Sequence, residues 1–306
     1  QKIVLRSAKK SCAMIRSYIS KCFLTYLILS RNSSLASSVK VSFINTSEKV
    51  VKLFWFDESS QSNVFATDVP SYTDVGMNTD IGHIFRFTYE EEERTIEVKG
   101  EEVFVIGPED DIKVICSSTE GPIKITVKPK WSPRGAGRFL ELVHIGYFDG
   151  CALNRVVKKF LTQFGISSNY ELRTKYRTET ILDDPKIENT VFRPGYMSYA
   201  GSGPNSRSNE VFIAMPSVSQ NQLEYFGKNP WETPFGYVDE EDLNDVVDKW
   251  YAYGDMPPWG EGPDPQNIYQ ENGYDEYLKK DFPSMSYLNN CKIVSSSSTN
   301  SEAEEL

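Results

Sequence analysis

Residues 153–166 read LNRVVKKFLTQFGI. The apolar positions of this stretch follow neither the 3.6-residue period of a helix nor the strict alternation of one strand. The pattern fits a barrel strand, a corner and a second strand, which would place Arg155 and Gln163 on one face of a groove beside the apolar Phe160 and Leu161. The alternative interpretation of Arg155 is a surface arginine on a barrel strand.

The residues before this stretch predict a strand and a helix. GPIKITVKP (121–129) alternates apolar with polar residues, which is typical of a half-buried strand. In WSPRGAGRFLELVHIGYFDG (131–150), Ser132 is the predicted N-cap, Pro133 the first helical residue and Gly146 the stop. The apolar positions then recur at helical spacing: Ala136, Phe139, Leu140 and Val143.

The residues after it contain loops, short strands and a second predicted helix. Asp239 is the expected cap of that helix, and its apolar face consists of Leu243, Val246, Val247 and Trp250. Many short strands, with one helix near the start and one near the end, predict a closed barrel whose two mouths are covered by helices.

The residues from 38 to 107 have a period of two. VKVSFIN and VKLFW alternate apolar with polar positions, and turn-prone segments separate such runs. This pattern predicts a small antiparallel β-sandwich over 38–107. Residues 108–119 are interpreted as a linker to a larger unit over 120–294.

The two ends of the chain differ from the rest. Residues 1–37 combine basic residues with the short apolar run CFLTYLILS, which is typical of a signal peptide or signal anchor; an amphipathic or disordered leader is the alternative. The compartment is therefore unknown: the first interpretation implies the secretory pathway, with Asn32 and Asn45 as glycosylation acceptors, and the other implies the cytoplasm. Residues 295–306 are predicted to be a disordered acidic tail.

Composition excludes several classes of protein. A chain of 306 residues with 39% hydrophobic and 25% charged content is globular and long enough for more than one core. Its formal net charge of -10, with the basic residues spread out, argues against nucleic-acid binding. Five cysteines without a CxxC pair imply neither a disulfide framework nor a zinc site, and two histidines leave little for a metal centre or a catalytic triad. No metal or cofactor is expected.

Several separate motifs resemble the cyclophilin-type peptidyl-prolyl cis-trans isomerases. RFLELVHIGYFDGCALNRVVKKFLTQFGI (138–166), ILDDP (181–185), GYMSYAGSGPNSRSNEVFIAM (195–215) and PFGYV (234–238) occur in the order and near-spacing of that family. The resemblance covers most of 120–294. It implies a mainly β fold, a cyclophilin-like closed eight-stranded β-barrel with two capping helices, preceded by the small β-sandwich.

The resemblance also implies a site for rotation about an X-Pro amide. Arg155 would donate a hydrogen bond near the prolyl nitrogen, Gln163 would orient it, and Phe160 would complete the catalytic set. The implied substrate contacts are Leu161 and Phe212 in the proline socket, Ala200 and Gly201 along the substrate backbone, and Glu210 and Trp231 at positions where this sequence departs from the family.

A second resemblance lies in the N-terminal unit. VKVSFINTSEKVVKLFWFD (39–57), VPSYTDVGMNTDIGHIFRF (69–87) and EEVFVIGP (101–108) resemble the β domain of the von Hippel-Lindau tumour suppressor. That family captures hydroxyproline, which implies a pocket formed by Trp55, Thr79, His83 and Phe85. The alternative is that Trp55 and His83 are core and rim residues of a small sandwich.

Two hypotheses about function follow. In the first, residues 120–294 are an active foldase, and the N-terminal domain recruits clients that contain proline or hydroxyproline. In the second, both units are binding modules, and the barrel binds proline-containing segments without accelerating rotation about their X-Pro bonds. Both predict partners that contain proline, no nucleic acid, and membrane contact only through an N-terminal anchor.

Overall fold

The computed structural model describes residues 38–186 and 191–294. The predicted leader (1–37), which contains Asn32, and the predicted tail (295–306) lie outside these residues. None of the helices in the described part of the chain combines the length and the apolar character that a membrane crossing requires. The described residues also contain no cluster of three or more side chains suited to a metal ion.

The N-terminal sandwich (residues 38–107) consists of two sheets with strand orders β4-β1-β7 and β3-β2-β5-β6. The alternating positions that predicted it form its core: Val41, Phe43, Val51 and Leu53 are at most 3% exposed. The strands are β1 Ser38–Ile44, β2 Val51–Asp57, β3 Ser62–Val69, β4 Asp74–Asp80, β5 Ile84–Tyr89, β6 Glu92–Glu97 and β7 Val103–Val105.

The barrel (residues 112–293) is one sheet of nine strands in the order β10-β16-β8-β9-β15-β13-β14-β12-β11. All neighbouring strands are antiparallel. The strands are β8 Ile112–Ser118, β9 Gly121–Val127, β10 Cys151–Ala152, β11 Arg155–Val157, β12 Leu161–Phe164, β13 Tyr196–Tyr199, β14 Val211–Ala214, β15 Gly236–Val238 and β16 Tyr287–Ile293.

The sheet must curl, because its two edge strands are nearly consecutive in the chain. Only Leu153 and Asn154 separate β10 from β11. In a flat sheet, eight gaps of about 4.8 Å would put these edges roughly 38 Å apart. The three residue steps from Ala152 to Arg155 span about 11 Å at most. The sheet has nine strands and not the expected eight. The extra strand arises because the chain leaves one edge of the sheet after β10 and joins the other edge as β11, so these neighbouring segments are two separate strands.

The predicted linker is partly a strand. Residues 112–118 form β8, which pairs with β9 on one side and β16 on the other. Ile112, Val114 and Cys116 alternate along it and are at most 8% exposed. The acidic PEDD run that precedes β8 hid this period-two pattern from the sequence interpretation.

The helices are α1 Pro133–His144, α2 Tyr170–Thr178, α3 Gln220–Tyr225, α4 Glu240–Asp245, α5 Pro265–Ile268 and α6 Lys279–Asp281. The predicted first helix is confirmed, but Ser132 does not cap it with its side chain. Asp184 does so instead, since its carboxylate accepts from the backbone N–H groups of Arg134 and Gly135, each at 3.0 Å. The second predicted helix is shorter than expected, and a 3-10 turn, Val247–Lys249, follows it; Leu243, Val246, Val247 and Trp250 are nevertheless buried.

Cys116 and Cys291 form a disulfide, which corrects the expectation that the cysteines imply no bridge. The two residues are 175 apart in sequence, and they face each other because β16 pairs with β8 in a register that aligns them. Sequence spacing carries no trace of that register. Among the described residues, Cys151 is a free and buried thiol.

Asn45 is a structural residue and not an exposed glycosylation acceptor. It is 0% exposed. Its amide nitrogen donates to the carbonyl oxygens of Lys49, Val69 and Pro70 at 2.7–3.0 Å. The folded sandwich therefore leaves no free amide for a glycan at this position.

The sandwich packs on the barrel through α1. Ile44 of β1 lies against Gly137 of that helix, where a Cβ atom would come within 2.6 Å of Ile44 Cγ2. Tyr72 of the sandwich also contacts His144 at the end of α1, with ring centroids 5.1 Å apart. The absence of a side chain at Gly137 thus lets the two units approach closely.

Candidate functional site

A two-strand hairpin brings Arg155 and Gln163 together, as the sequence predicted. The two residues are directly opposite in the register of β11 and β12. Arg155 Nη1 donates to Gln163 Oε1 at 2.9 Å. The corner between the strands is tight because Lys159 adopts a left-handed conformation (φ 62°), and Phe160 N donates to Val157 O. The mixed pattern of residues 153–166 is thus a strand, a corner and a strand.

The predicted socket residues lie in one apolar cluster. Leu161 and Phe212, from the paired strands β12 and β14, are 5% and 4% exposed, and Phe160 lies half-buried at the edge. Arg155 is at the rim, with its guanidinium carbon 5.8 Å from the centroid of the Phe160 ring. This arrangement joins an apolar surface to a fixed cationic donor.

Phe226 is a member of this cluster that the sequence analysis missed. Its ring is stacked on Phe160 with centroids 5.4 Å apart and 18° between the planes, and its centroid is 5.1 Å from that of Phe212. A proline between two rings would need the planes about 7–8 Å apart, since each face contacts carbon at 3.5–4.0 Å. Phe226 therefore leaves no room for a proline ring between itself and Phe160, and it also contacts Phe212. It directly follows α3 in the chain.

Asp255 is a second missed residue, and it is the ion-pair partner of Arg155. Arg155 Nε donates to Asp255 Oδ1 at 2.7 Å and Nη2 donates to Oδ2 at 3.2 Å. The two side chains are 14% and 21% exposed. Asp255 lies in the covering segment (residues 251–286), which runs between the 3-10 turn after α4 and the last barrel strand. The salt bridge is bidentate, and both of its side chains are mostly buried.

Glu210, a position where this sequence departs from the resembling family, forms no hydrogen bond or salt bridge with Arg155 in the described part of the chain. Gln163 lies between them: its Nε2 donates to Glu210 Oε2 at 2.8 Å. Tyr269 OH donates to the other oxygen at 3.0 Å. Burial raises the pKa of Glu210 above its ordinary value, against the hydrogen bonds from Gln163 and Tyr269, which lower it. The result is one chain of side-chain hydrogen bonds that joins Arg155, Gln163, Glu210 and Tyr269.

Ala200, Gly201 and Trp231 form the far side of the site. Ala200 N donates to Glu210 O at 3.0 Å. Trp231, in the short 3-10 helix Pro230–Glu232, packs on Gly201 so closely that a Cβ there would lie 2.4 Å from its Cδ1 atom. Trp231 thus lies beside the predicted contacts to the substrate backbone, Ala200 and Gly201. Its indole ring occupies the space that a side chain at position 201 would need.

A separate cavity of the barrel contains none of the predicted site residues. It has a volume of about 670 Å³. Its walls include Lys128, Trp131, Arg193, Tyr196, Tyr237 and Glu240. The chemistry assigned to Arg155 therefore belongs to a covered groove and not to this cavity.

The second predicted site, in the sandwich, is only partly assembled. Thr79 Oγ1 and His83 Nδ1 are 2.8 Å apart, and the rings of Trp55 and His83 have centroids 5.4 Å apart. Phe85 is 3% exposed and packs edge-on against Phe43 in the core, so it is not available to a ligand. The structure brings together Trp55, Thr79 and His83 and assigns Phe85 to the core.

Comparison with known proteins agrees with both resemblances. Residues 112–258 match the family model described as cyclophilin type peptidyl-prolyl cis-trans isomerase/CLD, and residues 28–111 match that of the VHL beta domain. These matches confirm the resemblance of each unit to its family, and the mainly β fold is confirmed as well.

Individual relatives are distant. A Staphylococcus aureus (strain USA300) protein, provisionally named a peptidyl-prolyl cis-trans isomerase, is 27% identical over 152 residues, which are 49% of this chain and 70% of that protein. Among solved structures, a Cryptosporidium parvum cyclophilin type isomerase is 17% identical, with a TM-score of 0.41 and coverage of 61% of this chain and 99% of that chain. A second structure from the same organism, in the presence of the dipeptide Ala-Pro, has 17% identity, a TM-score of 0.40 and coverage of 60% and 99%.

Proposed function

We propose, from the premise that residues 112–258 are a cyclophilin-type domain, that the barrel catalyses cis-trans isomerisation of X-Pro bonds in peptides or proteins. One observation supports this most directly: Arg155, held by Gln163, stands at the edge of an apolar cluster that includes Phe160, Leu161 and Phe212. A cationic donor beside an apolar socket is what this rotation needs, and no nucleophile or metal takes part.

The barrier to rotation arises from the resonance of the amide, about 18–20 kcal/mol. As the C–N bond twists, the prolyl nitrogen becomes pyramidal and regains a lone pair, which a hydrogen-bond donor stabilises. A guanidinium carries five N–H groups. Three of those on Arg155 are engaged by Asp255 and Gln163, which leaves two for a substrate. Each 1.36 kcal/mol of stabilisation of the twisted state corresponds to about a tenfold rise in rate.

Phe160, Leu161 and Phe212 would hold the pyrrolidine ring, while Ala200 and Gly201 would align the substrate backbone. Because Phe226 lies against both Phe160 and Phe212, a pyrrolidine ring can pack between Phe226 and either ring only if the Phe226 ring moves. Gln163 is already fixed by two hydrogen bonds, so it keeps Arg155 aimed at the groove without further ordering on binding.

The test is exchange NMR on an Ala-Pro peptide with the full chain. We expect acceleration that falls about 100-fold or more in Arg155→Ala, the magnitude typical of losing a preorganised donor. Arg193→Ala, an exposed arginine of the same barrel outside the cluster, is the matched control and should retain the wild-type rate. Equal rates in wild type and Arg155→Ala, with both proteins folded, would contradict the proposal.

A second candidate is proline binding without turnover, and the position of Phe226 favours it. If the ring never leaves Phe160, peptides would contact only the rim of the cluster. The same NMR samples separate the two functions. Peptide-induced shifts of the cluster resonances, together with an unchanged cis-trans rate at high protein concentration, would leave a binding module.

For the sandwich we propose recognition of hydroxyproline-containing segments. This is supported by the proximity of Trp55, Thr79 and His83, which offer an aromatic face and two polar groups. We expect a hydroxyproline peptide to bind at least tenfold more tightly than its proline twin, since buried polar groups are left unpaired when the ligand hydroxyl is absent. Titration of the full chain checks this. Thr79→Val should remove the difference, and equal affinities in the wild type would refute it.

A further inference from the structure

We infer that Asp255 is a positioning residue of the isomerase site: a built-in counter-ion that fixes Arg155 and weakens its positive charge toward the prolyl nitrogen. This inference rests on the function proposed above. It concerns a carboxylate 100 residues away in sequence from the arginine it binds.

The Asp255 carboxylate is held in place by its own turn. Oδ1, which accepts from Arg155, also accepts from Met256 N at 2.8 Å, and Gly262 N donates to Asp255 O at 2.8 Å. A Cβ at Gly260 or Gly262 would lie 2.4 or 2.8 Å from that same carbonyl oxygen, so only glycine lets the turn close. The carboxylate is therefore preorganised and does not sample the conformations of a free loop side chain.

The turn is attached directly to the strand that carries Arg155. Gly254 forms an antiparallel bridge with Val156, the neighbour of Arg155 in β11. This bridge places residue 255 beside residue 155. Because the backbone sets the distance, the salt bridge needs no additional ordering of either chain segment.

The rest of the covering segment is anchored to the barrel. The Arg173 side chain is 1% exposed, and its Nη2 donates to Gln270 O and Glu271 O at 2.6 and 2.8 Å. Tyr274 OH accepts from Ala152 N at 2.9 Å and donates to Ile166 O. Ile268, Tyr269, Leu278 and Met285 add an apolar cluster against Ala152 and Ile166. Asp255 is thus part of the folded site and not of a transient flap.

A fixed carboxylate at this position opposes the chemistry of Arg155. Charge-assisted hydrogen bonds to Asp255 occupy the Nε and Nη2 edge, and the ion pair is net neutral. Screening by water is incomplete, since both side chains are mostly buried. A neutral pair exerts a weaker field on a developing lone pair than an isolated guanidinium does. Removing the negative charge while keeping the shape should therefore raise the rate of rotation.

Asp255→Asn tests this, because the amide oxygen can still accept from Arg155 Nε. In exchange NMR with an Ala-Pro peptide, we expect kcat to rise about tenfold with little change in KM, since the charge acts on the twisted state. The free energy of unfolding should fall, because Arg155 loses its counter-ion. A purely structural aspartate would lower stability and rate together. Asp255→Glu keeps a carboxylate at this position, and its kcat should therefore lie closer to the wild-type value than that of Asp255→Asn.

Asp275→Asn is the control, an exposed aspartate of the same segment that pairs only with Lys279; it should leave kcat unchanged. A decrease or no change in kcat for folded Asp255→Asn would overturn the inference, and Asp255→Ser serves as the second neutral variant if the first does not fold. If the wild type is inactive but Asp255→Asn accelerates exchange, the inference stands while activity of the native chain fails. Inactivity of both neutral variants and of the wild type would reject both.

Discussion

At the scale of single residues, Gln163 organises the site. Its Oε1 accepts from Arg155 and its Nε2 donates to Glu210, so both ends of one amide are used and its orientation is fixed. A glutamate at position 210 can accept that hydrogen bond without reaching Arg155. Glu210 therefore does not pair with Arg155, because the Gln163 amide lies between the two side chains.

The raised pKa of Glu210 makes stability depend on pH. Its ordinary value is 4.5, and burial raises it in the folded state. Between these two values the folded protein binds more protons than the unfolded chain. The stability that Glu210 contributes is therefore full below pH 4.5 and is lost as pH rises through the folded pKa, at no more than about 1.4 kcal/mol per pH unit.

We expect Glu210→Gln to lose this dependence. In urea unfolding between pH 4 and pH 8, the variant should gain on the wild type as pH rises, because its amide does not titrate and still bonds with Gln163 and Tyr269. Glu101→Gln, at an exposed position of the sandwich, is the control. Parallel curves for wild type and Glu210→Gln would show that Glu210 has the same pKa in both states.

The family resemblance implied the pairing of Arg155 with Gln163, and the structure confirms that the two residues, eight apart in sequence, meet in one hairpin. The sequence did not predict Asp255 or Phe226. Each of these reaches the site through a long connection, and nothing in the local pattern of GDMPPWG or LEYFGK indicates which strand it meets. Thr79 and His83 are four residues apart, and their assignment to one site likewise followed from a family resemblance.

At the scale of elements, the covering segment distinguishes this barrel. Its elements are short, namely α5, a π-helical turn Gly273–Leu278 and α6, and they have little independent stability at that length. Hydrogen bonds from Arg173 and the apolar cluster around Tyr274 supply the order. Sequence periodicity fails for such elements, because tertiary contacts and not local propensity determine their conformation.

Two other elements show the same limit. The helix α2 was not predicted, although Asn169 caps it by accepting from Leu172 N at 3.1 Å, because few of its residues face the core. The strand β8 was assigned to a linker because charged residues precede it. In contrast α1, with a proline at its start and a full apolar face, followed from sequence alone.

At the scale of the whole molecule, the sandwich and the barrel come into close contact where Ile44 lies against Gly137. Gly137 lies inside α1, where replacing glycine by alanine ordinarily stabilises a helix by about 1 kcal/mol. Ile44 occupies the space that the new methyl group would need. Because of this contact, Gly137→Ala is expected to destabilise the protein, whereas helix propensity alone predicts that it stabilises it.

We expect Gly137→Ala to destabilise the full chain by about 1–3 kcal/mol, the usual cost of overpacking. In an Ile44→Ala background, which removes the obstructing methyl group, the same change should be neutral or stabilising. Urea unfolding of the four proteins of this cycle measures the coupling. Equal effects of Gly137→Ala in both backgrounds would show that the two units do not press on each other at this point.

The sequence by itself determined the sandwich, the barrel and helix α1, because these depend on short-range alternation or helical spacing; the role of Gln163 beside Arg155 followed from the resemblance of the surrounding motifs to a known family. Only the tertiary structure decided what meets the site from elsewhere in the chain: Asp255 on the arginine, Phe226 over the socket, the disulfide between β8 and β16, and the burial of Asn45 and Phe85. These contacts depend on the register of strands and the path of long connections, which follow from the packing of the whole chain and leave no local pattern.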